Sequence, residues 1–275
     1  MATRGLSLIG FMGQAQALHH LRTSCIPKNP SDSALIEEWA AAKLKLGVAA
    51  PNAGFPSVSP LAKQYASHIQ AVVSQAAFQP GGSFCGAHAC LVEIDPILSV
   101  QFAVDLDRIA YLCGALRNPS LQEMLDVCLP LKPQSELFQT LSGAQSILLK
   151  SRSMNIKLSA GGLFNDTFLG VKLGVSSPHV RVVRYRGRCY IHNGFHRAVG
   201  LRMAGVTHMP CLIKDVTEES ETGISENATF SAELLESDNP PTLAHFTQGR
   251  ARAVTLRALS RVIHVSWAEY TVPDE

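Results

Sequence analysis

The spacing of apolar positions changes several times along the chain, and each change predicts an element. Ser31 to Gly47 (SDSALIEEWAAAKLKLG) predicts a helix that Ser31, Asp32 or Ser33 can cap, with Glu37 and Glu38 toward its start, Lys43 and Lys45 toward its end, and Gly47 as the stop. Pro51 to Pro60 is a loop rich in Pro, Gly, Ser and Asn, and Leu61 to Phe78 predicts a second helix, with Leu61, Tyr65, Ile69, Val72 and Val73 at helical spacing. Cys90 to Val104 is rich in Val, Ile and Phe and is divided by Asp95-Pro96, which predicts one or two strands around a bend. Helices are expected at Asp105 to Leu116, Ser120 to Cys128 and Gln134 to about Ser151, with Leu148 to Lys150 compatible with an extended end. Met154 to Leu158 reads as a short strand and Ala160-Gly161-Gly162 as a turn.

From Val180 to Val216 the order is strand, strand, glycine turn, helix, strand. Arg186-Gly187 divides a hairpin, Asn193-Gly194 turns into a helix from Phe195 to Ala204, Gly205 stops it, and Met209 to Ile213 is a further strand. A glycine turn at a helix start lets a ligand approach the backbone and points free N–H groups outward, which suits an anion. His196 and Arg197 fall in the first helical turn, where cations work against the helix dipole unless an anion sits between them.

Composition narrows the class. In 275 residues, 46% are hydrophobic and 17% charged, which excludes a disordered chain and points to a fully buried core. No apolar run approaches the roughly 20 residues that cross a bilayer, so the expectation is a soluble, cytoplasmic protein with no membrane partner. Leu6 to Gly13 followed by Ala15-Gln16-Ala17 has the outline of a small signal peptide, but an apolar core of about eight residues with two glycines reads better as an ordinary N-terminal segment. The seven scattered cysteines fit reduced core thiols; Cys85, His88 and Cys90 cluster without the second ligand pair that a structural zinc needs, so no metal site is assigned.

The net charge of +2 argues against a wholly cationic nucleic-acid binder, yet it hides two blocks. Thr167 to Lys214 has eight Lys or Arg and no acid, and Asp215 to Asp238 has eight acids and no Lys or Arg. The basic block surrounds the glycine turn, and the acidic one reads as a linker able to shield it.

Ile191-His192-Asn193-Gly194-Phe195-His196-Arg197-Ala198, running on through Gly205, Val206, Pro210 and Ile213, resembles the signature of the ParB/sulfiredoxin superfamily. The resemblance covers Val180 to Ile213, with Leu91 to Val104 supplying the family's first strand and a turn at Gln101. It implies an α+β fold, a small mixed sheet with helices in which this turn binds nucleotide phosphates. The organisation expected is an N-terminal helical region (1–89), a ParB/sulfiredoxin-like core (90–216), an acidic linker (217–240), and a C-terminal helix and strand packed on the core (241–275). The phosphate ligands implied are Asn193, Gly194, Phe195, His196, Arg197 and Gln101. The catalytic candidates are Glu93, His196 and Arg197, with Asp95, Asp105 and Asp107 as alternative carboxylates. The cofactor implied is a nucleoside triphosphate or diphosphate with Mg2+.

Two departures prune the family's activities. Phe195 stands where sulfiredoxin chemistry needs a nucleophilic cysteine, and Cys189 is not a substitute by spacing. After the acidic stretch, Gly249 to Arg261 reads as a basic helix and Val262 to Val272 as a strand, which leaves little room for a helix-turn-helix. The leading expectation is a nucleotide-dependent phosphotransferase or hydrolase. Its alternatives are a non-catalytic nucleotide-sensing or protein- or DNA-binding regulator of a mobile-element or phage-defence system, and a nuclease contacting DNA through residues 172–214.

Overall fold

The structure, a computed structural model, describes residues 2–47, 52–75, 78, 84–114, 116–132, 139–143, 145–151, 156–164, 168–175, 178–225 and 228–271. It is an α+β protein, and its contacts divide it into two units, Met1–Leu131 with Pro178–Arg257, and Lys132–Ser177 with Ala258–Glu275.

In the first unit the chain opens with strand β1 (Ala2–Ser7) and helix α1 (Gln14–Thr23), so the region 1–89 is not purely helical. Helix α2 (Asp32–Lys43) forms where expected, with Ser31 Oγ accepting the Ala34 amide at its N-terminus. Strand β2 (Val58–Pro60) emerges from the Pro/Ser loop, and the helix read from Leu61 to Phe78 shortens to a 3-10 turn, Lys63–Tyr65, followed by α3 (Ala66–Val73). Asp95-Pro96 bends the chain between β3 (His88–Glu93) and β4 (Ala103–Asp105). Caps then start the next two helices: Asp105 accepts two amides at α4 (Leu106–Cys113), and Ser120 and Glu123 form a reciprocal capping box at α5 (Leu121–Cys128).

The second unit corrects the sequence reading. In place of a helix to Ser151 it holds β5 (Gln139–Gly143) and β6 (Ser146–Ser151), while 134–138 of the expected helix lie outside the described residues. The proposed turn at Ala160-Gly161-Gly162 is the interior of β7 (Ile156–Phe164), which pairs with β8 (Phe168–Val175), and the register shifts between Ser159 and Gly162. Such an irregularity is how a strand absorbs residues that otherwise signal a turn.

Back in the first unit, β9 (Arg181–Tyr185) and β10 (Arg188–Asn193) form the expected hairpin, with Arg186 and Gly187 at φ 49° and 80° as a two-residue turn that requires positive φ at both positions. Helix α6 (Phe195–Met203) and β11 (His208–Asp215) follow. The acidic stretch is not a linker: it folds into a 3-10 turn, Glu219–Thr222, and α7 (Ala232–Glu236), and buries Phe230 and Leu235 completely. Buried apolar side chains and ion pairs to the basic block fix it in place. The basic run expected to be helical is instead strand β12 (Arg252–Arg257) in this unit, and the final strand, β13 (Arg261–Ser266), belongs to the second.

The strands assemble in the order β10-β9-β11-β3-β2 and β12-β1-β4 in the first unit, and β13-β6-β5 in the second. β3 and β4, read together as one family strand and turn, therefore enter different sheets. Leu8, Ile94, Ile97, Leu98, Leu125, Leu129, Tyr190 and Phe230 are all fully buried at the centre of the first unit.

Candidate functional site

The glycine turn is set by the register of the hairpin. Asn193 pairs with Arg181 across β9 and β10 after an irregularity at His192, and its Nδ2 donates to the His179 carbonyl at 3.1 Å. Gly194 then caps α6 at φ 98°. A Cβ there would lie 2.7 Å from Val180 Cγ2 and 3.0 Å from Val180 Cα, so both torsion and space demand glycine. The Asn193 side chain thus ties the turn to the chain entering β9, and Phe195, 4% exposed, is a core residue.

Arg197 is buried in the first turn of α6, where its Nη1 donates to the Pro178 carbonyl. His196, beside it, is held neutral: burial pushes its pKa down to about 4, Arg108 pushes the same way, Asp105 opposes, and Arg197 adds a smaller push down. His179, fully buried, bonds the Pro130 carbonyl through Nε2 at 3.0 Å, which places its ring hydrogen there. Burial takes its pKa down to about 4, against the opposing hydrogen bond to Pro130 and with smaller help from the positive charges of Arg181 and Arg197.

Arg181 is the residue that sequence reasoning did not single out. It is 8% exposed, its guanidinium lies 5.2 Å from the centre of the Phe84 ring, and its buried Nε meets no hydrogen-bond partner among the described residues. Burial alone lowers its pKa. A buried charge without a carboxylate is costly, and such groups are ordinarily paired. The only signal in the sequence was its register opposite Asn193, which depends on where the irregularity in β10 falls.

The carboxylates do not gather at this turn. Arg181 is level with Leu212 on β11, and Leu212 with Ala89 on β3, so Glu93 stands four residues farther along β3, about 13 Å away at strand rise. Its Oε2 accepts from the Ser57 amide at 3.2 Å and the Ser57 hydroxyl at 3.0 Å, and that hydroxyl is also 3.1 Å from His208 Nε2. Glu93 is therefore not a group at the glycine turn; strand direction carries it to the level of His208. Asp95 forms a two-pronged ion pair with Arg202 at 2.6 and 3.1 Å, and Asp107 pairs with Arg4 at 3.0 Å. Asp105 caps α4, and of the four it is the one whose charge reaches His196. Gln101 is exposed in the bend before β4, which pairs with β1 rather than with the hairpin, so nothing draws it to the turn. Cys90, of the cysteine cluster, turns inward to lie 4.0 Å from Cys211 Sγ.

Half of the eight cations in the basic block are ion-paired within the fold. Arg184 pairs with Asp215, Lys214 with Glu221, and Arg186 with Glu236, so the acidic stretch folds back on the strands that precede it. Arg188 spends Nη1 on the carbonyls of Leu235 and Ser237, at 2.8 and 3.1 Å. Arg181, buried beside the turn, has no ion pair among the described residues.

Searches against family models, curated proteins and solved structures find no match to this chain. Among the described residues no helix is long and apolar enough to cross a membrane, and no group of three His, Cys, Asp or Glu side chains converges in a way that would hold a metal.

Proposed function

We propose that this protein is a ParB/sulfiredoxin-like nucleotide-binding protein, a phosphotransferase or hydrolase that receives phosphates at the turn from Asn193 to Arg197. The observation that carries the reading is the buried guanidinium of Arg181, whose Nε has no partner among the described residues, set opposite Asn193 in the strand register. A phosphate oxygen would satisfy that N–H, meet the first amides of α6 and offset the charge of Arg181. Gly194 and the Asn193 tie supply the rigid turn, and neutral His196, in the field of Asp105, supplies a base or donor next to it.

The anion fits these residues; the magnesium that accompanies nucleotides does not fit the carboxylates between positions 93 and 107, because each is committed elsewhere. That commitment favours a second reading, a sensor that binds nucleotide without turnover. The nuclease and DNA readings drew on the cations of 172–214, four of which are ion-paired within the fold, and they lose that support.

Titration calorimetry with ATP, ADP, CTP and GTP, on wild type and Arg181→Met, tests binding, and chromatography of the same mixtures tests turnover. Saturable binding weakened in the variant supports the reading, and product formation separates enzyme from sensor. No heat with any nucleotide, or equal affinity in both proteins, would sink both.

A further inference from the structure

The contacts that hold Glu93 away from the glycine turn gather a different set of groups. Antiparallel register sets Glu93 opposite His208 on β11, and on the other side the Glu93 amide donates to the Ser57 carbonyl at 3.0 Å, just ahead of β2. Residues opposite one another in a sheet share a face, so Ser57, Glu93 and His208 form a row across three neighbouring segments. Ser57 is exposed, and Glu93 and His208 are half-buried.

The row has the spacing of an activated nucleophile. Ser57 Oγ stands 3.1 Å from His208 Nε2, and His208 Nδ1 stands 3.0 Å from Thr207 Oγ1. An imidazole held through one ring nitrogen by a third group, with the other nitrogen against a hydroxyl, is arranged to take a serine proton. With the Nδ1 hydrogen on the Thr207 side, the Nε2 lone pair is left for Ser57. Glu93 orients the serine rather than the histidine. Its Oε2 accepts both the Ser57 amide and the Ser57 hydroxyl, and its own amide holds the Ser57 carbonyl, so both backbone groups of residue 57 are fixed.

The sheet edge adds a donor. The backbone groups of Ser57 face β3, so those of Val58 face outward from β2, the outermost strand of its sheet, and no backbone group among the described residues meets them. The Val58 amide, next after the serine, is thus open to an oxygen that gains negative charge when Ser57 attacks a carbonyl. Phe55 and Val58, both exposed, flank Ser57 in the chain and offer apolar surface to the rest of a substrate.

We propose that Ser57 is the nucleophile of an acyl-transfer site for small carboxylic esters, with His208 as its general base and Thr207 and Glu93 as positioning residues. Ser57 Oγ bonds to the ester carbonyl carbon while its hydrogen passes to His208 Nε2; the bond from that carbon to the alcohol oxygen breaks, and the alcohol leaves with the hydrogen. Water then adds to the acyl-serine and gives a proton to His208 Nε2, and the carboxylic acid departs as that proton returns to Ser57 Oγ. Ester and water are consumed, acid and alcohol are released, and the balance needs no oxidant or reductant. The row stands four residues along β3 from the level of Arg181, and the proposal holds whether or not nucleotide binds at the glycine turn.

The test treats the full chain with a fluorophosphonate probe, which forms a serine–phosphorus bond and releases fluoride, and separately follows hydrolysis of p-nitrophenyl acetate. Wild type is compared with Ser57→Ala, His208→Gln, Glu93→Gln, Thr207→Val and Thr207→Ser, with circular dichroism confirming that each is folded. The expected result is an adduct that peptide mass spectrometry maps to Ser57, and ester hydrolysis that falls about 100-fold or more in Ser57→Ala and His208→Gln. Thr207→Val should lower kcat with KM unchanged, and Thr207→Ser, which keeps the hydroxyl, should restore it. Glu93→Gln should retain most of the activity, because the amide oxygen still accepts from Ser57. An adduct on another residue, no adduct at all, or hydrolysis unchanged in Ser57→Ala overturns the proposal. Activity kept in His208→Gln but lost in Glu93→Gln overturns it as well, because the base would then be the carboxylate.

Discussion

A buried guanidinium kept for a ligand and one kept for stability respond in opposite ways to Arg181→Met. Methionine keeps the length of the side chain and its packing on Phe84 but removes the charge and the unmet N–H. Burying an N–H without a partner costs about 1–3 kcal/mol. The stacking of the guanidinium on Phe84, with 5.2 Å to the ring centre, returns about 0.5–2 kcal/mol. The balance runs from about 1 kcal/mol lost to about 2.5 kcal/mol gained on substitution, so the variant should be close to wild type in stability or above it. Nucleotide affinity should move the other way and fall about 10- to 100-fold, the worth of a charge-assisted hydrogen bond. Urea unfolding reads the first quantity: the chain has two tryptophans, and in a Trp267→Phe background the fluorescence of Trp39 reports the first unit, where Arg181 lies. Calorimetry reads the second. A stability loss beyond about 2 kcal/mol would refute the reasoning, because it would mean that the folded state itself gains from the charge.

Gly194→Ala should cost about 2–5 kcal/mol, the sum of about 1–2 for a side chain in the left-handed region and about 1–3 for the contact with Val180, measured by the same urea unfolding. Gly86→Ala, at φ 81° with open space around it, should show the torsional part alone, and equal losses at the two positions would discredit the steric argument. Acid should unfold the first unit early. Burial lowers the pKa of His20, His179 and His245 from 6.5 to about 4, so below pH 6.5 the unfolded chain binds protons that the folded one refuses. Each can remove up to about 3 kcal/mol as pH falls to 4, and a urea midpoint that stays level between pH 6.5 and 4.5 would contradict this.

The parts of the fold that were legible are those governed by residues with one local use. Ser31, Asp105 and Ser120 cap helices where their neighbours begin helical spacing, Asp95-Pro96 bends, Arg186-Gly187 turns a hairpin, and Gly194 opens α6. The misread parts depend on distant partners. Ser146–Ser151 carries leucines at a spacing that either a helix or a strand accepts, and β13, more than 100 residues later, pairs with it as a strand. Arg252–Arg257 looked like a basic helix because its charges are regular, but Ala2–Ser7 recruits it into a sheet residue by residue. Glu93 was placed beside the turn because β3 was assigned to the right sheet; which end of that strand meets the turn is a matter of register, which no local pattern fixes.

The two charge blocks show why the site itself was only half legible. Read along the chain, eight cations followed by eight acids suggested an open positive field with a detachable shield. Folding closes the block on itself: Arg184, Arg186 and Lys214 take their acids from the stretch that follows, and Arg202 takes Asp95 from the bend after β3. Exposed pairs of that kind are screened within roughly 8 Å at physiological salt, so long-range attraction contributes little to recognition here. What remains for an anion at the turn is the short-range pull of Arg181, removed from water and hence weakly screened. Anion affinity at the turn should accordingly depend on salt far less than a field of eight cations would require, because burial, which sequence spacing does not report, selects which cation acts.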